Sequence, residues 1–116
     1  MSQSQRDNGT HSLFARVPAL HENSIREEFR RLGRQFYVRR LAFFGSILRA
    51  DYTGKSDVDI LVEFEPGNAV GLLGLSEIQL ALSDLLGRPV DLRILPELSH
   101  YFRDRVAKEA LEFYVA

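Results

Sequence analysis

The stretch Ser-Asp-Val-Asp-Ile-Leu-Val-Glu-Phe at residues 56–64 decides the fold, because it predicts a β-strand with two different faces. Its even-numbered positions are all apolar: Val58, Ile60, Val62 and Phe64. Alternation with a period of two indicates a strand that buries one face. Successive side chains of a strand point to opposite faces, so Asp57 and Asp59 lie together on the other face, where the strand begins.

Two neighbouring carboxylates of this kind favour a bound cation. At a separation of about 4 Å their repulsion costs about 4 kcal/mol at an effective dielectric constant near 20. A divalent cation removes that cost and converts it into affinity. The ligands are hard oxygens, and the chain has no cysteine and no closely spaced pair of histidines. We therefore expect Mg²⁺ or Mn²⁺ rather than zinc at Asp57 and Asp59.

A second alternating run, at residues 89–94, predicts another strand of the same kind. Its apolar positions are Val90, Leu92 and Ile94. If this strand lies beside the first, Asp91 joins Asp57 and Asp59 on the polar face. Asp91 would then be a third metal ligand or a base toward an attacking hydroxyl. The alternative is that Asp91 is a solvated turn residue, which is common at the ends of short strands.

The residues just upstream offer contacts for phosphate. Residues 38–44 read as a buried strand that runs into Gly45 and Ser46. Glycine allows close approach of the backbone to an anion, and residues 46–50 predict a short helix whose free N–H groups face phosphate. The Ser46 hydroxyl and the Arg49 side chain would add to these contacts. The alternative is an ordinary strand-to-helix turn with a serine cap.

Three helices are expected around these strands. Ser24 and Glu27 form a capping-box pattern ahead of an amphipathic helix that Gly33 would end. A second helix is expected at residues 72–86, closed by a Gly-Arg-Pro sequence. A third follows from the spacing of Leu98, Phe102 and Val106. The final stretch, residues 111–115, is either a short edge strand or a frayed helix end.

Composition indicates one compact domain. The chain has 116 residues, of which 45% are hydrophobic, enough for one core over residues 16–116. Residues 1–15 are polar without periodicity and predict a disordered tail. The net charge of −1 gives no general attraction to nucleic acid or membrane. We found neither a membrane-spanning run nor a leader, and with no cysteine the expected location is cytoplasmic.

The pattern Gly45-Ser46, ten residues, then Asp57-x-Asp59 resembles the minimal nucleotidyltransferases (MNT) of the DNA polymerase β superfamily. These proteins are antitoxins beside HEPN-domain toxins, and the resemblance extends over residues 24–114. Further matching positions are Arg49, Ser56 and the Val-Asp-Leu sequence around Asp91. One departure is Ala50, where the family often has glycine, and it affects the tightness of the turn.

The resemblance implies a fold of the α/β (α+β) class, with a small mixed β-sheet flanked by helices. It implies that Gly45 and Ser46 hold the β- and γ-phosphates of ATP, with Arg49 and Ser56 as further nucleotide contacts. It also implies metal binding by Asp57 and Asp59, with a third carboxylate from the later strand, Asp91.

The function that the resemblance implies is metal-dependent transfer of AMP from ATP to a tyrosine of a cognate HEPN toxin. The acceptor hydroxyl would attack the α-phosphate in line and expel pyrophosphate. Only about twenty residues follow the second strand, so we expect the acceptor to come from another molecule. Two alternatives stay open: an antitoxin that acts by binding alone, and a nucleotidyltransferase subunit for a small-molecule acceptor. No direct nucleic-acid binding is expected.

Overall fold

In the computed structural model, the described part of the chain comprises residues 16–17, 24–49, 52, 57–68, 70–94, 104 and 108–116. Its helices are α1 (Ile25–Phe36) and α2 (Gly71–Leu86), and a short 3₁₀ helix spans Gly45–Leu48. Its strands are β1 (Val38–Phe44), β2 (Val58–Phe64), β3 (Val90–Ile94) and β4 (Leu111–Val115). The expected tail at residues 1–15, the third helix through Leu98, Phe102 and Val106, and Ser56 lie outside the described residues.

The four strands form one mixed sheet in the order β3-β2-β1-β4. β2 and β3 are parallel, whereas β1 is antiparallel to both of its neighbours, β2 and β4. The fold class expected from the sequence is therefore confirmed. The final stretch is an edge strand, and its Phe113 ring stacks on Phe43 with centroids 4.1 Å apart. The weak alternation of residues 111–115 left open whether they form a strand or a helix end, and their pairing with β1 shows that they form a strand.

The predicted apolar face of β2 is buried, but burial is not limited to that face. Val58, Ile60 and Val62 are buried in the core that both helices cover. Leu61 points to the opposite face of the sheet, where it packs with Ala42, Phe44 and Ala110. The strand therefore buries apolar side chains on both faces while its first positions on the second face carry carboxylates.

The start and end of α1 differ from the sequence prediction. The Ser24 side chain makes no capping hydrogen bond, and Glu27 pairs with Arg30 instead. The helix continues past Gly33 and ends at Tyr37, which adopts a left-handed conformation at φ 58° and donates its N–H to the Gly33 carbonyl. Gly33 therefore does not stop the helix. Its small size is needed because β4 packs closely against it. A Cβ atom built on Gly33 would lie 2.2 Å from the hydroxyl oxygen of Tyr114.

Helix α2 agrees with its prediction and also fixes β3. It ends at Gly87, whose φ is 68° and whose N–H bonds to the Ser83 carbonyl. The backbone N–H groups of Val90 and Leu92 donate to the Ser83 hydroxyl (3.1 Å) and to the Gln79 side-chain carbonyl (2.9 Å). Because β3 is an edge strand, these two side chains satisfy its outer edge and set its position along the helix.

The outer face of α2 exposes three leucines, Leu72, Leu73 and Leu80. They lie on the helix layer, on the other side of the sheet from the carboxylates. No helix in the described ranges has both the length and the apolar character needed to cross a membrane.

Replacing Gly33 with alanine should lower stability, because the tyrosine ring of β4 would have to leave its site. The helix-propensity gain of about 0.8–1.0 kcal/mol is smaller than a typical overpacking cost of about 1–3 kcal/mol. In a Tyr114→Ala background the same Gly33→Ala change should instead raise stability, because only the propensity gain remains. Urea unfolding of the four variants tests this, and equal effects of Gly33→Ala in both backgrounds would contradict it.

Candidate active site

The register of the sheet brings two carboxylates side by side. Asp59, the second residue of β2, pairs with Asp91 of β3 and, on its other side, with Phe44 at the end of β1. The starts of β2 and β3 are joined by a hydrogen bond of 2.8 Å from the Val58 N–H to the Pro89 carbonyl. The prediction that the two alternating strands are neighbours with aligned polar faces is confirmed. Asp57 lies exposed immediately before β2.

The turn that follows β1 closes directly on Asp59. Gly45 adopts φ +74°, and a Cβ atom built on it would lie 2.4 Å from the Asp59 Oδ2 atom. The backbone N–H of Ser46 donates to the same carboxylate. Gly45 thus leaves room for the Asp59 carboxylate, and Ser46 binds it. Glycine is required here for its positive φ and for the space that the carboxylate fills.

The electrostatics of Asp59 reflect this crowding. Burial is the largest cause of a pKa raised above the usual range of an aspartate, and the charge of Asp91 adds to it. The hydrogen bond from Ser46 opposes the rise in the Asp59 pKa, Asp57 contributes to it, and the charge of Arg93 opposes it. Asp59 is thus a carboxyl whose ionised form is disfavoured by its surroundings and would be favoured by a nearby cation.

The predicted helix at residues 46–50 is only partly present. The 3₁₀ helix ends at Leu48, and Arg49 is extended and exposed, with its N–H bonded to the Ser46 carbonyl. Ala50 lies outside the described residues. Arg49 lies one 3₁₀ turn beyond Ser46, but its backbone is extended, so the helix goes no further. The Ser46 N–H is already engaged by the Asp59 carboxylate. The Ser46 hydroxyl stays a candidate phosphate contact.

Glu63 shares the polar face with Asp59 but belongs to a separate ion-paired group. It pairs with Arg40 of β1, which also pairs with Glu112 of β4. The carboxylates available for a cation are therefore concentrated at the other end of the sheet, beside the Gly-Ser turn.

Arg93 was not singled out as a site residue from the sequence, although its alternation with Asp91 places both on one face. Its guanidinium forms an ion pair with Asp91, with Nε 3.2 Å from Oδ1 and Nη2 3.3 Å from Oδ2. Its charge also acts on Asp59.

A second group of residues that the sequence did not reveal, Arg16, Tyr52 and Arg88, lies near the 3₁₀ turn. Arg16 donates to the carbonyls of Ile47 and Arg49, the latter at 2.7 Å. The guanidinium groups of Arg16 and Arg88 lie 5.1 and 5.6 Å from the centre of the Tyr52 ring. These residues are far apart in sequence, so no local pattern could have identified them.

The donor chemistry of the site suits a hard divalent cation. Asp57, Asp59 and Asp91 supply only carboxylate oxygens, and the Asp59 pKa is raised first by burial and then by the charges of Asp91 and Asp57. However, within the described residues no three His, Cys, Asp or Glu side chains are arranged to hold a metal together. Mg²⁺ is commonly held by one or two carboxylates with water and substrate phosphates, so a complete protein cage is not required.

Replacing Gly45 with alanine should destabilise the protein more than replacing Gly67. Both glycines have positive φ, so each change costs about 1–2 kcal/mol of backbone strain. Only at Gly45 would the new Cβ also collide with Asp59, since nothing lies within 4 Å of a Cβ at Gly67. Chemical unfolding measures the difference. In an Asp59→Ala background the two glycine changes should cost the same, and a persisting excess at Gly45 would contradict the contact.

Replacing Asp59 with asparagine should raise the Tm of the metal-free protein by a few degrees at neutral pH. Because folding raises the Asp59 pKa, this residue contributes most to stability when protonated, and the contribution is lost as the pH rises through the raised pKa. The gain of Asp59→Asn should therefore shrink on acidification.

Thermal unfolding in the presence of a chelator measures this effect. Asp84→Asn on the exposed surface of α2 is the matched control, for which no shift beyond experimental error is expected. A lower Tm for Asp59→Asn at neutral pH would show that its hydrogen bond from Ser46 outweighs the repulsion.

The comparison with known families identifies the domain. The model of the nucleotidyltransferase domain family matches residues 22–113. A protein adenylyltransferase named MntA from Thermococcus cleftensis is 35% identical over 91 residues, which cover 78% of this chain and 83% of that protein. A Methanocaldococcus jannaschii protein assigned as a protein adenylyltransferase is 36% identical over 75 residues, covering 65% of this chain and 78% of that protein.

Solved structures share the fold. One assigned as a minimal nucleotidyltransferase has a TM-score of 0.62 and 34% identity, covering 78% of this chain and 90% of the other. A toxin–antitoxin complex with AMP-PNP has a TM-score of 0.60 at 20% identity, covering 78% and 73%. The complex of a tri-AMPylated Shewanella oneidensis HEPN toxin with MNT antitoxin has a TM-score of 0.54 at 20% identity, covering 78% and 70%. Because the family model and the relatives cover most of its length, this chain, with its Gly-Ser turn packed against Asp59, belongs to the nucleotidyltransferase domain family.

Proposed function

We propose that this protein is an antitoxin that transfers AMP from ATP to a tyrosine of a cognate HEPN-domain toxin and thereby neutralises it. The single observation that carries the proposal is the alignment of Asp59 with Asp91 beside the Gly45–Ser46 turn. Support for the acceptor class comes from the relative named protein adenylyltransferase MntA and from the fold shared with toxin–antitoxin complexes.

A divalent cation, Mg²⁺ or Mn²⁺, would be held by Asp57 and Asp59, with Asp91 as a further ligand. When bound, it would neutralise the charge of the triphosphate and favour departure of pyrophosphate. The crowding of carboxylates around Asp59 supports this assignment, because without a cation it only raises the free energy of the folded state.

The chain's own residues would do the remaining work. The Ser46 hydroxyl lies at the turn that abuts Asp59 and is the proposed contact for the β- and γ-phosphates of ATP. Arg49 is exposed just beyond the turn and is a proposed second contact. Asp91 is the proposed acceptor of the tyrosine proton if it does not ligate the metal, since a carboxylate at hydrogen-bond reach can serve as a general base. The attacking phenolic oxygen would bond to the α-phosphorus as the bond to pyrophosphate breaks.

The test is incubation of the purified protein with the HEPN protein encoded beside it, ATP and Mg²⁺. We expect the toxin to gain the mass of AMP, at a tyrosine identified by peptide sequencing. Asp57→Asn and Asp59→Asn should each lower the transfer rate roughly 100-fold or more, because the cation contributes several kcal/mol to the transition state. Chelation of the metal should do the same.

Asp84→Asn is the matched control, since it removes the same charge from the exposed surface of α2 and should leave the rate unchanged. Full activity of Asp57→Asn or Asp59→Asn would contradict the metal assignment. Rescue of growth from the toxin by a double variant, Asp57→Ala with Asp59→Ala, would favour an antitoxin that acts by binding alone. Transfer to a small molecule with none to the toxin would favour the remaining alternative.

A further inference from the structure

Arg93 contacts both carboxylate oxygens of Asp91, one of the three proposed metal ligands. It follows Asp91 by two residues on β3, so the two side chains emerge on the same face of the sheet. Its Nε lies 3.2 Å from Oδ1 and its Nη2 lies 3.3 Å from Oδ2. Both side chains are partly open to solvent, with 51% of the Arg93 side chain and 36% of the Asp91 side chain exposed.

We propose that Arg93 is a resident counter-ion that holds Asp91 until a divalent cation arrives, so that the guanidinium and the cation compete for one carboxylate. This inference rests on the proposed function, because it needs a cation at Asp57, Asp59 and Asp91. It adds a positioning residue that acts through Asp91.

The first argument is the arrangement of the carboxylates. Asp59 and Asp91 are in register on adjacent strands, yet within the described part of the chain no three acidic or histidine side chains are placed to share an ion. The guanidinium of Arg93 occupies both oxygens of Asp91, and a fork of this kind directs the carboxylate toward itself. Ligation of a cation by Asp91 would require at least one of these contacts to break.

The second argument is energetic. A partly exposed ion pair is weak, because water screens it, whereas a divalent cation beside several carboxylates is held strongly. Arg93 can therefore relieve the repulsion between Asp59 and Asp91 in the metal-free protein without blocking the site. Arg93 pairs directly with Asp91, and its charge also acts on Asp59. Removing Arg93 should then strengthen cation binding, the opposite of what damage to the fold would do.

The experiment measures Mn²⁺ affinity in the absence of nucleotide, by electron paramagnetic resonance or calorimetry. Arg93→Gln should bind Mn²⁺ about two- to five-fold more tightly than the unaltered protein, which is the range expected for loss of a half-exposed ion pair. Arg93→Lys keeps the charge and should stay within about two-fold of the unaltered protein. Thermal unfolding of each variant confirms that the fold is retained.

Arg30→Gln is the matched control. It makes the same change in net charge on α1, where Arg30 is exposed and paired with Glu27 on the helix side of the sheet. It should leave Mn²⁺ affinity unchanged.

A second background tests whether Arg93 acts through its partner. In Asp91→Asn the change Arg93→Gln should tighten Mn²⁺ binding less than it does in the unaltered protein, because the direct competition for Asp91 is gone and only the weaker effect of the Arg93 charge on Asp59 remains. Unchanged or weaker binding by Arg93→Gln alone would overturn the inference, and so would equal tightening in both backgrounds. If the unaltered protein neither binds Mn²⁺ nor transfers AMP, the proposed function fails and this inference fails with it. If it does both and Arg93→Gln has no effect, only the inference fails.

Discussion

The contact between the Asp59 carboxylate and the turn at Gly45 and Ser46 is the constraint on which the site depends. The carboxylate occupies the space that a Cβ on Gly45 would take, and it accepts the N–H of Ser46. One aspartate is thereby fixed to the end of β1 and to the start of β2 at the same time. Gly45 and Ser46, which precede β2 by more than ten positions, are in this way brought into the same site as Asp59.

The rest of the fold holds this contact in place from two sides. On the helix side, the apolar face of β2 packs into the common core, which prevents a slip of one residue that would reverse its faces. At the edge, Gln79 and Ser83 of α2 accept the N–H groups of β3 and so keep Asp91 in register with Asp59. Behind the turn, Arg16 binds the carbonyls of Ile47 and Arg49.

On the face of the sheet that carries Asp59, the ion pairs of Arg40 lie at one end and the carboxylates of the candidate site lie at the other. Arg40 pairs with both Glu63 and Glu112 at one end, which links three strands. At the other end lie Asp57, Asp59 and Asp91, where the charge of Arg93 opposes the rise in the Asp59 pKa and the guanidinium pairs with Asp91. The surplus of negative charge is thus concentrated where a divalent cation would bring positive charge, which is the arrangement that the proposed adenylyl transfer requires.

The sequence by itself determined the parts that depend on local periodicity. Alternation in β2 and β3 determined which side chains are buried and which carboxylates share a face, since a strand places neighbours on opposite sides. Apolar residues at helical spacing, Leu75, Ile78, Leu82 and Leu85, and the stop at Gly87 determined α2 in the same way. The chain's membership of its family was also visible in the spacing from Gly45 to Asp59.

Other features were decided only by the tertiary structure, because they depend on contacts between residues distant in the chain. Gly33 was expected to end α1 but lies inside it. The ring of Tyr114 on β4 occupies the space that a side chain at this position would take. The capping box of Ser24 and Glu27 did not form, and the helix expected after Ser46 is a short 3₁₀ turn. The Gly-Ser pair holds Asp59, and Arg93 holds Asp91. Local sequence fixes the direction of a side chain within its own strand, but the partner that it meets depends on how the strands and helices are packed.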